Sequence, residues 1–376
     1  MKIRCFFIVA ISFLGQILFA QNDWYLLVGT YTSGKSEGIY VYKFNPLSAE
    51  NSLASTVPSS NPSFLAVSPD NKFVYAVNEN AAKDNNGIGG EVSAFSFNNT
   101  KGILSPLNKK SSAGNHPCYV TIDKSGKWIY AGNYSSGTVA VLESGKDGNL
   151  TGPNQITQHT GTGPNLQRQE SAHVHGTFLS PDEKYLLVPD LGADKVFIYS
   201  VDKSKGTLVP TSTPFSSAFP GAGPRHLDFH FKLPIVYVLE ELTGFVGVYS
   251  FRDGKLDLIE RMNLYPKEYS GALGSADIHV SPDGKFLYAS NRGDFNSITI
   301  FKIDASSGKL SLVGFQSTLG KTPRNFSFDP SGNYLLVANQ NSDEIVIFKV
   351  NKDTGLLTDT GKKIVVPNPV CLKWIK

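Results

Sequence analysis

One pattern recurs six times along this chain and leaves little choice of fold. It reads SFLAVSPDNKFVYAVNE (63–79), CYVTIDKSGKWIYAGNY (118–134), HGTFLSPDEKYLLVPDL (175–191), RHLDFHFKLPIVYVLEE (225–241), ADIHVSPDGKFLYASNR (276–292) and RNFSFDPSGNYLLVANQ (324–340). Each copy is an alternating apolar run, a polar turn and a second alternating run, which is the signature of a β-hairpin. Steps between the equivalent Pro69, Lys124, Pro181, Phe231, Pro282 and Pro330 run from 48 to 57 residues. Strands repeating at about fifty residues are propeller blades. The ends supply a seventh: YLLVGTY (25–31) matches the second half of a repeat and PNPVCLKWIK (367–376) the missing first half. The expected fold is therefore all-β, a seven-bladed β-propeller whose N- and C-terminal strands share one blade. Closing the ring that way leaves no free sheet edge.

Aligning the repeats separates positions that serve every blade from positions that vary. The SPDGK turn and the apolar runs recur, so turn and core chemistry account for them. Two columns change identity instead. The first opens the repeat with Ser63, Cys118, His175, Arg225, Ala276 and Arg324; the second closes it with Glu79, Tyr134, Leu191, Glu241, Arg292 and Gln340, joined by Tyr31. Antiparallel hairpins put the start of one strand beside the end of the next. Both columns should thus line one mouth of the central channel, with the turns at the other face. Convergent polar groups at a concave opening are the first place to look for a site. His173, two residues before His175, belongs to the same side of an extended strand. Gly223-Pro224 and Thr322-Pro323 are read as extended approaches that aim the arginines after them. The strandless stretch 160–170 is expected to cover part of this mouth.

Composition narrows the setting. Lys2 and Arg4 precede an apolar run from Cys5 to Phe19 that ends at Ala20 before polar residues. This is the pattern of a secretory signal peptide over 1–20, followed by a single domain over 21–376. Lys2 and Arg4 carry two of the net three positive charges, and no basic block remains to suit nucleic acid or a membrane surface. The protein should be exported, periplasmic or extracellular. Cys118 and Cys371 sit at strand positions far apart in the layout and are read as small buried thiols; no spacing suggests a zinc site.

LLVGTYT, HVHGTFLSPD, PDLGADKV, GAGPRHLDFH, HVSPDGKFLYASNRG and GKTPRNFSFDPSGNYLLVANQNSD together resemble the seven-bladed propeller lactonases of the 6-phosphogluconolactonase family, which are related to the carboxymuconate lactonizing enzymes. The resemblance spans essentially the whole mature chain. In the muconate branch the resemblance implies a site of one histidine, one glutamate and two arginines: His175 with His173 as the nearby alternative, Glu241, Arg225 and Arg292. The column comparison selects the same residues. His173, Arg324, Glu79, Gln340 and Tyr134 are the expected substrate contacts.

The expected activity is metal-independent hydrolysis of a sugar lactone, with 6-phosphoglucono-δ-lactone or a related aldonolactone opened to its acid. Glu241 or His175 would act as general base, while Arg225 and Arg292 bind the anion and the developing oxyanion. No cofactor and no serine-nucleophile elbow are expected, hence no covalent intermediate. The partner is a small anionic lactone. The rival readings are a muconate-type lactonizing cycloisomerase and a non-catalytic ligand-binding propeller. A calcium-dependent variant using Glu79, Asn133, Asp190 and Asn291 is disfavoured, because the arginines would repel a dication.

Overall fold

The computed structural model describes residues 24–82 and 87–376, so the leader pattern over 1–20 lies outside the described residues. Among them the strands form seven four-stranded antiparallel sheets, and the one helical element is a three-residue turn at Gln340–Ser342. Strand Trp24–Thr30 pairs with Gly38–Phe44 on one side and with the last strand, Pro369–Ile375, on the other. The two ends of the chain thus build one blade, as the half-repeats predict. Neighbouring innermost strands pack on one another around the channel.

The recurrent turn explains itself locally. A serine hydroxyl accepts the backbone N–H five residues on in three blades: Phe73 to Ser68 at 2.9 Å, Tyr185 to Ser180 at 3.1 Å and Phe286 to Ser281 at 3.0 Å. Asp123 and Asp329 replace the serine and accept from Trp128 and Tyr334. In the divergent HFKLP turn the imidazole of His230 takes over, accepting from Lys232 and Leu233. Blades are tied to their successors by buried tyrosines. The hydroxyl of Tyr237 donates to Gly308 O at 2.9 Å and that of Tyr288 to Gly355 O at 2.7 Å. Gly355 is held at φ +76°, and a Cβ there would lie 2.5 Å from the Phe286 ring. The inter-blade layers are otherwise aliphatic and aromatic, with Val74, Leu187, Val236, Leu287 and Leu335 fully buried.

Removing residues 367–376 would strip the innermost strand from the shared blade and expose the backbone edge of Trp24–Thr30. The truncated chain is expected to elute as aggregate and to lose its cooperative melt. A monomer melting at the wild-type temperature would show that ring closure is dispensable.

Two backbone devices place the variable columns. In every blade the second-column residue is the first past the second strand, and its N–H is held by a carbonyl at the start of the innermost strand. These bonds are Tyr31 to Asn368, Glu79 to Asn61, Tyr134 to His116, Leu191 to His173, Glu241 to Gly223, Arg292 to Gly274 and Gln340 to Thr322, all 2.8–3.2 Å. The carbonyl residue is left-handed in five of the seven, with φ of 42° at Asn61, 51° at His116, 64° at Gly223, 59° at Thr322 and 46° at Asn368. The approach to Arg225 and Arg324 is therefore a tight turn and not the extended segment expected from the following proline. Holding the carbonyl towards the second column overrides the usual preference before proline. The second device is a bulge. The innermost strands shift register at Pro117/Tyr119, Pro224/Leu227, Ser275/Ile278 and Pro323/Asn325. Cys118, Arg225, Ala276 and Arg324 fall in those shifts, where an unpaired residue is free to turn its side chain away from the sheet.

Candidate active site

The first column meets in the channel. Ser63, Cys118, His175, Arg225, Arg324 and Val370, each from a different blade, line one small cavity. Above it lies Glu241, buried to 4 % exposure, with both carboxylate oxygens taken by cations. Its Oε2 is 2.8 Å from Arg225 Nε and 3.1 Å from Arg292 Nη2, and its Oε1 is 2.7 Å from Arg168 Nη2. His175 Nε2 stands 4.0 Å from Oε2, too far for a hydrogen bond. Burial opposes ionisation of Glu241, yet the guanidinium groups of Arg292, Arg225 and Arg168 hold its carboxyl well below the usual carboxylate range. Burial, reinforced by Arg225, pushes the His175 imidazole well below its ordinary value, so it is neutral at pH 7.

The two wall arginines are fixed by backbone as well as by Glu241. Arg225 Nη1 donates to Ala276 O, and Arg292 Nε donates to Gly274 O at 2.9 Å. Among the described residues Arg225 Nη2 and Arg292 Nη1 have no hydrogen-bond partner, and the guanidinium of Arg324 has neither hydrogen bond nor ion pair. Arg324 instead faces the Tyr31 ring at 5.3 Å, and Tyr31 donates to Glu79 Oε2 at 2.8 Å. These donors point chemistry towards an oxygen that carries or gains negative charge.

The expected residues thus divide. His175, Arg225, Glu241 and Arg292 come together, with Arg324 below them and the Tyr31–Glu79 pair beside Arg324. Tyr134 lies edge-on to His175, ring centres 5.4 Å apart. His173 stands behind it, stacked on Tyr134 at 4.5 Å and bonded to Tyr134 O and Glu170. Gln340 opens the short helical turn, and its side chain makes no hydrogen bond among the described residues. The sequence reading missed Arg168, although it singled out its loop. It also missed the layer below, where Asp277 holds His226 Nδ1 at 2.7 Å and His279 Nε2 at 3.0 Å. The pentapeptide Gly34–Gly38 does spell Gly-x-Ser-x-Gly, but it joins two strands. Its Ser36 is buried against Thr30 Oγ1 at 2.6 Å, without the strand-to-helix elbow of a nucleophile. Cys118 and Cys371 are both free and buried. No cluster of metal-ligating side chains occurs among the described residues.

Acid should weaken the fold through this channel. Burial, then the Arg225 charge, lowers His226 to about 3, and His175 is lowered likewise. A histidine with a depressed folded pKa contributes stability that is full above its unfolded value near 6.5 and lost as pH falls. The His226 shift should cost about 2 kcal/mol between pH 6.5 and 5, and His175 acts in the same direction. His279, raised by Asp277 despite burial, has its contribution intact in that window. Urea midpoints are expected to fall from pH 6.5 to 5; a midpoint unchanged or higher at pH 5 would contradict these assignments.

A family model described as lactonase, 7-bladed beta-propeller, matches residues 25–374. The chain is 38 % identical over 346 residues to a Formosa agariphila protein named 6-phosphogluconolactonase, covering 91 % of this chain and 96 % of that one. It is 36 % identical over 353 residues to one of the same name from Bacillus subtilis, covering 93 % and 97 %. The solved structure of the Pseudomonas aeruginosa periplasmic gluconolactonase superposes with a TM-score of 0.89 at 35 % identity, over 94 % of this chain and 99 % of that one.

Proposed function

This chain belongs to the family of seven-bladed β-propeller lactonases, and from that membership we propose that it hydrolyses a sugar lactone, 6-phosphoglucono-δ-lactone or a close relative, at the Glu241 cluster. The observation that carries the reading is a buried carboxylate held by three arginines that, among the described residues, keep unpaired N–H groups.

In this mechanism the lactone carbonyl oxygen enters the small cavity against Arg225 Nη2 and the unpaired Arg324. Glu241 takes a proton from water as the water oxygen attacks C1, and the two guanidinium groups stabilise the oxyanion. Collapse breaks the bond from C1 to the ring oxygen, which receives the proton back from Glu241. The acid product loses its remaining carboxyl proton to solvent. His175, neutral, orients the water, and Arg292 faces the substrate's acidic group with Nη1. A δ-lactone is already an activated ester, so aimed water and charge stabilisation suffice. Tyr134 and the Tyr31–Glu79 pair would wall the sugar.

We place the protein outside the cytoplasm. The leader pattern over 1–20 supports export, as does the likeness to a periplasmic gluconolactonase. No helix among the described residues is long and apolar enough to cross a membrane.

Acid release from 6-phosphoglucono-δ-lactone and from glucono-δ-lactone, followed in a pH-stat with EDTA present, tests the proposal. Hydrolysis above the spontaneous rate is expected. Background rates with both lactones would leave a binding propeller as the better reading.

A further inference from the structure

Of the cations on Glu241, Arg168 differs in origin. Arg225 and Arg292 belong to the channel wall and are tied to backbone carbonyls. Arg168 reaches in from the strandless loop, with its side chain 42 % exposed against 5 % for Glu241. Among the described residues its guanidinium has one other hydrogen-bond partner, Tyr134 OH at 3.3 Å. The loop itself is anchored. Gln169 donates to Asp194 Oδ1 at 2.6 Å and to Leu191 O at 2.9 Å, and the turn closes through Gln169 N to Asn165 O at 2.7 Å. The base is pinned, so the guanidinium is the part able to move.

Its place on Glu241 poses a chemical problem. Oε2 is already shared by two arginines, so Oε1 is the oxygen left to receive a proton, and Arg168 occupies it. Arg168 is the most exposed of the three cations, at 42 % against 17 % for Arg292 and 1 % for Arg225, so solvent can take up its charge when it withdraws, and the other two still neutralise the carboxylate. A phosphate dianion offers the same guanidinium a bidentate, doubly charged partner.

We propose that Arg168 is a specificity-determining residue that leaves Glu241 Oε1 to bind the phosphate of the incoming lactone, freeing that oxygen to act as the base. Recognition of the acidic group and release of the base are then one event. A neutral lactone gives Arg168 nowhere to go and turns over slowly on a masked carboxylate. The inference rests on Glu241 being the base of the proposed hydrolysis.

Calorimetric titration with 6-phosphogluconate and with gluconate tests it without requiring turnover. The two acids share a carboxylate and differ in the phosphate. Arg168→Gln is expected to weaken 6-phosphogluconate binding tenfold or more and gluconate less than twofold, with Arg168→Lys recovering part of the loss. In the same variant, kcat for glucono-δ-lactone should rise, and the acid limb of its pH profile should move to higher pH as Glu241 loses a cation. Equal losses for both acids, or none for 6-phosphogluconate, would overturn the proposal. Selective binding without hydrolysis would sink the lactonase reading and leave Arg168 as the phosphate reader; hydrolysis without selective binding would do the reverse.

Discussion

Glu241→Gln is expected to lower kcat/KM by about three orders of magnitude, the middle of the range for removing a positioned general base. The substitution keeps the shape of the side chain and deletes its charge. That charge is the shared counter-ion of Arg225, Arg292 and Arg168, of which Arg225 is buried to 1 % exposure. Stripping one partner from a buried ion pair typically costs about 3–5 kcal/mol, because the other charge stays behind unpaired. The glutamine oxygen still accepts from one arginine, which places the expected loss near the lower figure. The variant should therefore melt earlier yet remain folded at 25 °C, so that activity and stability are read separately. A kcat/KM within tenfold of wild type would remove Glu241 from the chemistry.

Arg225→Lys should lower kcat by about 10²- to 10³-fold, the usual effect of losing one oxyanion donor, with a smaller change in KM. Charge is retained, so the loss isolates geometry. Arg225 spends Nε on Glu241 and Nη1 on Ala276 O, leaving Nη2 for the substrate. An ammonium is a single point and cannot serve three directions at once. Arg292→Lys should be milder, because that side chain is partly exposed and faces the acidic group in this mechanism. Kinetics of both variants on one lactone would check the order; a kcat within threefold of wild type for Arg225→Lys would contradict the oxyanion role.

The architecture and much of the site could be read from the chain because the blades are copies. Seven equivalent backbone bonds, from Tyr31–Asn368 round to Gln340–Thr322, make positions comparable between repeats. A column that varies in such a frame is free of blade duty, which is how Glu241 and Arg292 stood out from Asn291 and its kin. The same logic fails where there is no copy. Arg168 sits in an insertion without a counterpart in other blades, so nothing in the repeat marked it over Gln167 or Glu170. Asp277 and His226 were hidden because they follow the first column on the innermost strand, where register shifts break the period-2 rule. The left-handed residues before proline were missed for a related reason. Local preference favours an extended chain there, and only the tertiary bond to the second column reverses it.

The most direct measurement is a crystal structure of Glu241→Gln with 6-phosphogluconate, since removing the carboxylate charge also removes its repulsion of the product. The C1 carboxylate is expected within hydrogen-bonding distance of Arg225 and Arg324, with the phosphate towards Arg292 and the loop over 160–170. Product bound at the opposite mouth beside His279, or turned with its phosphate in the Arg225–Arg324 cavity, would contradict it.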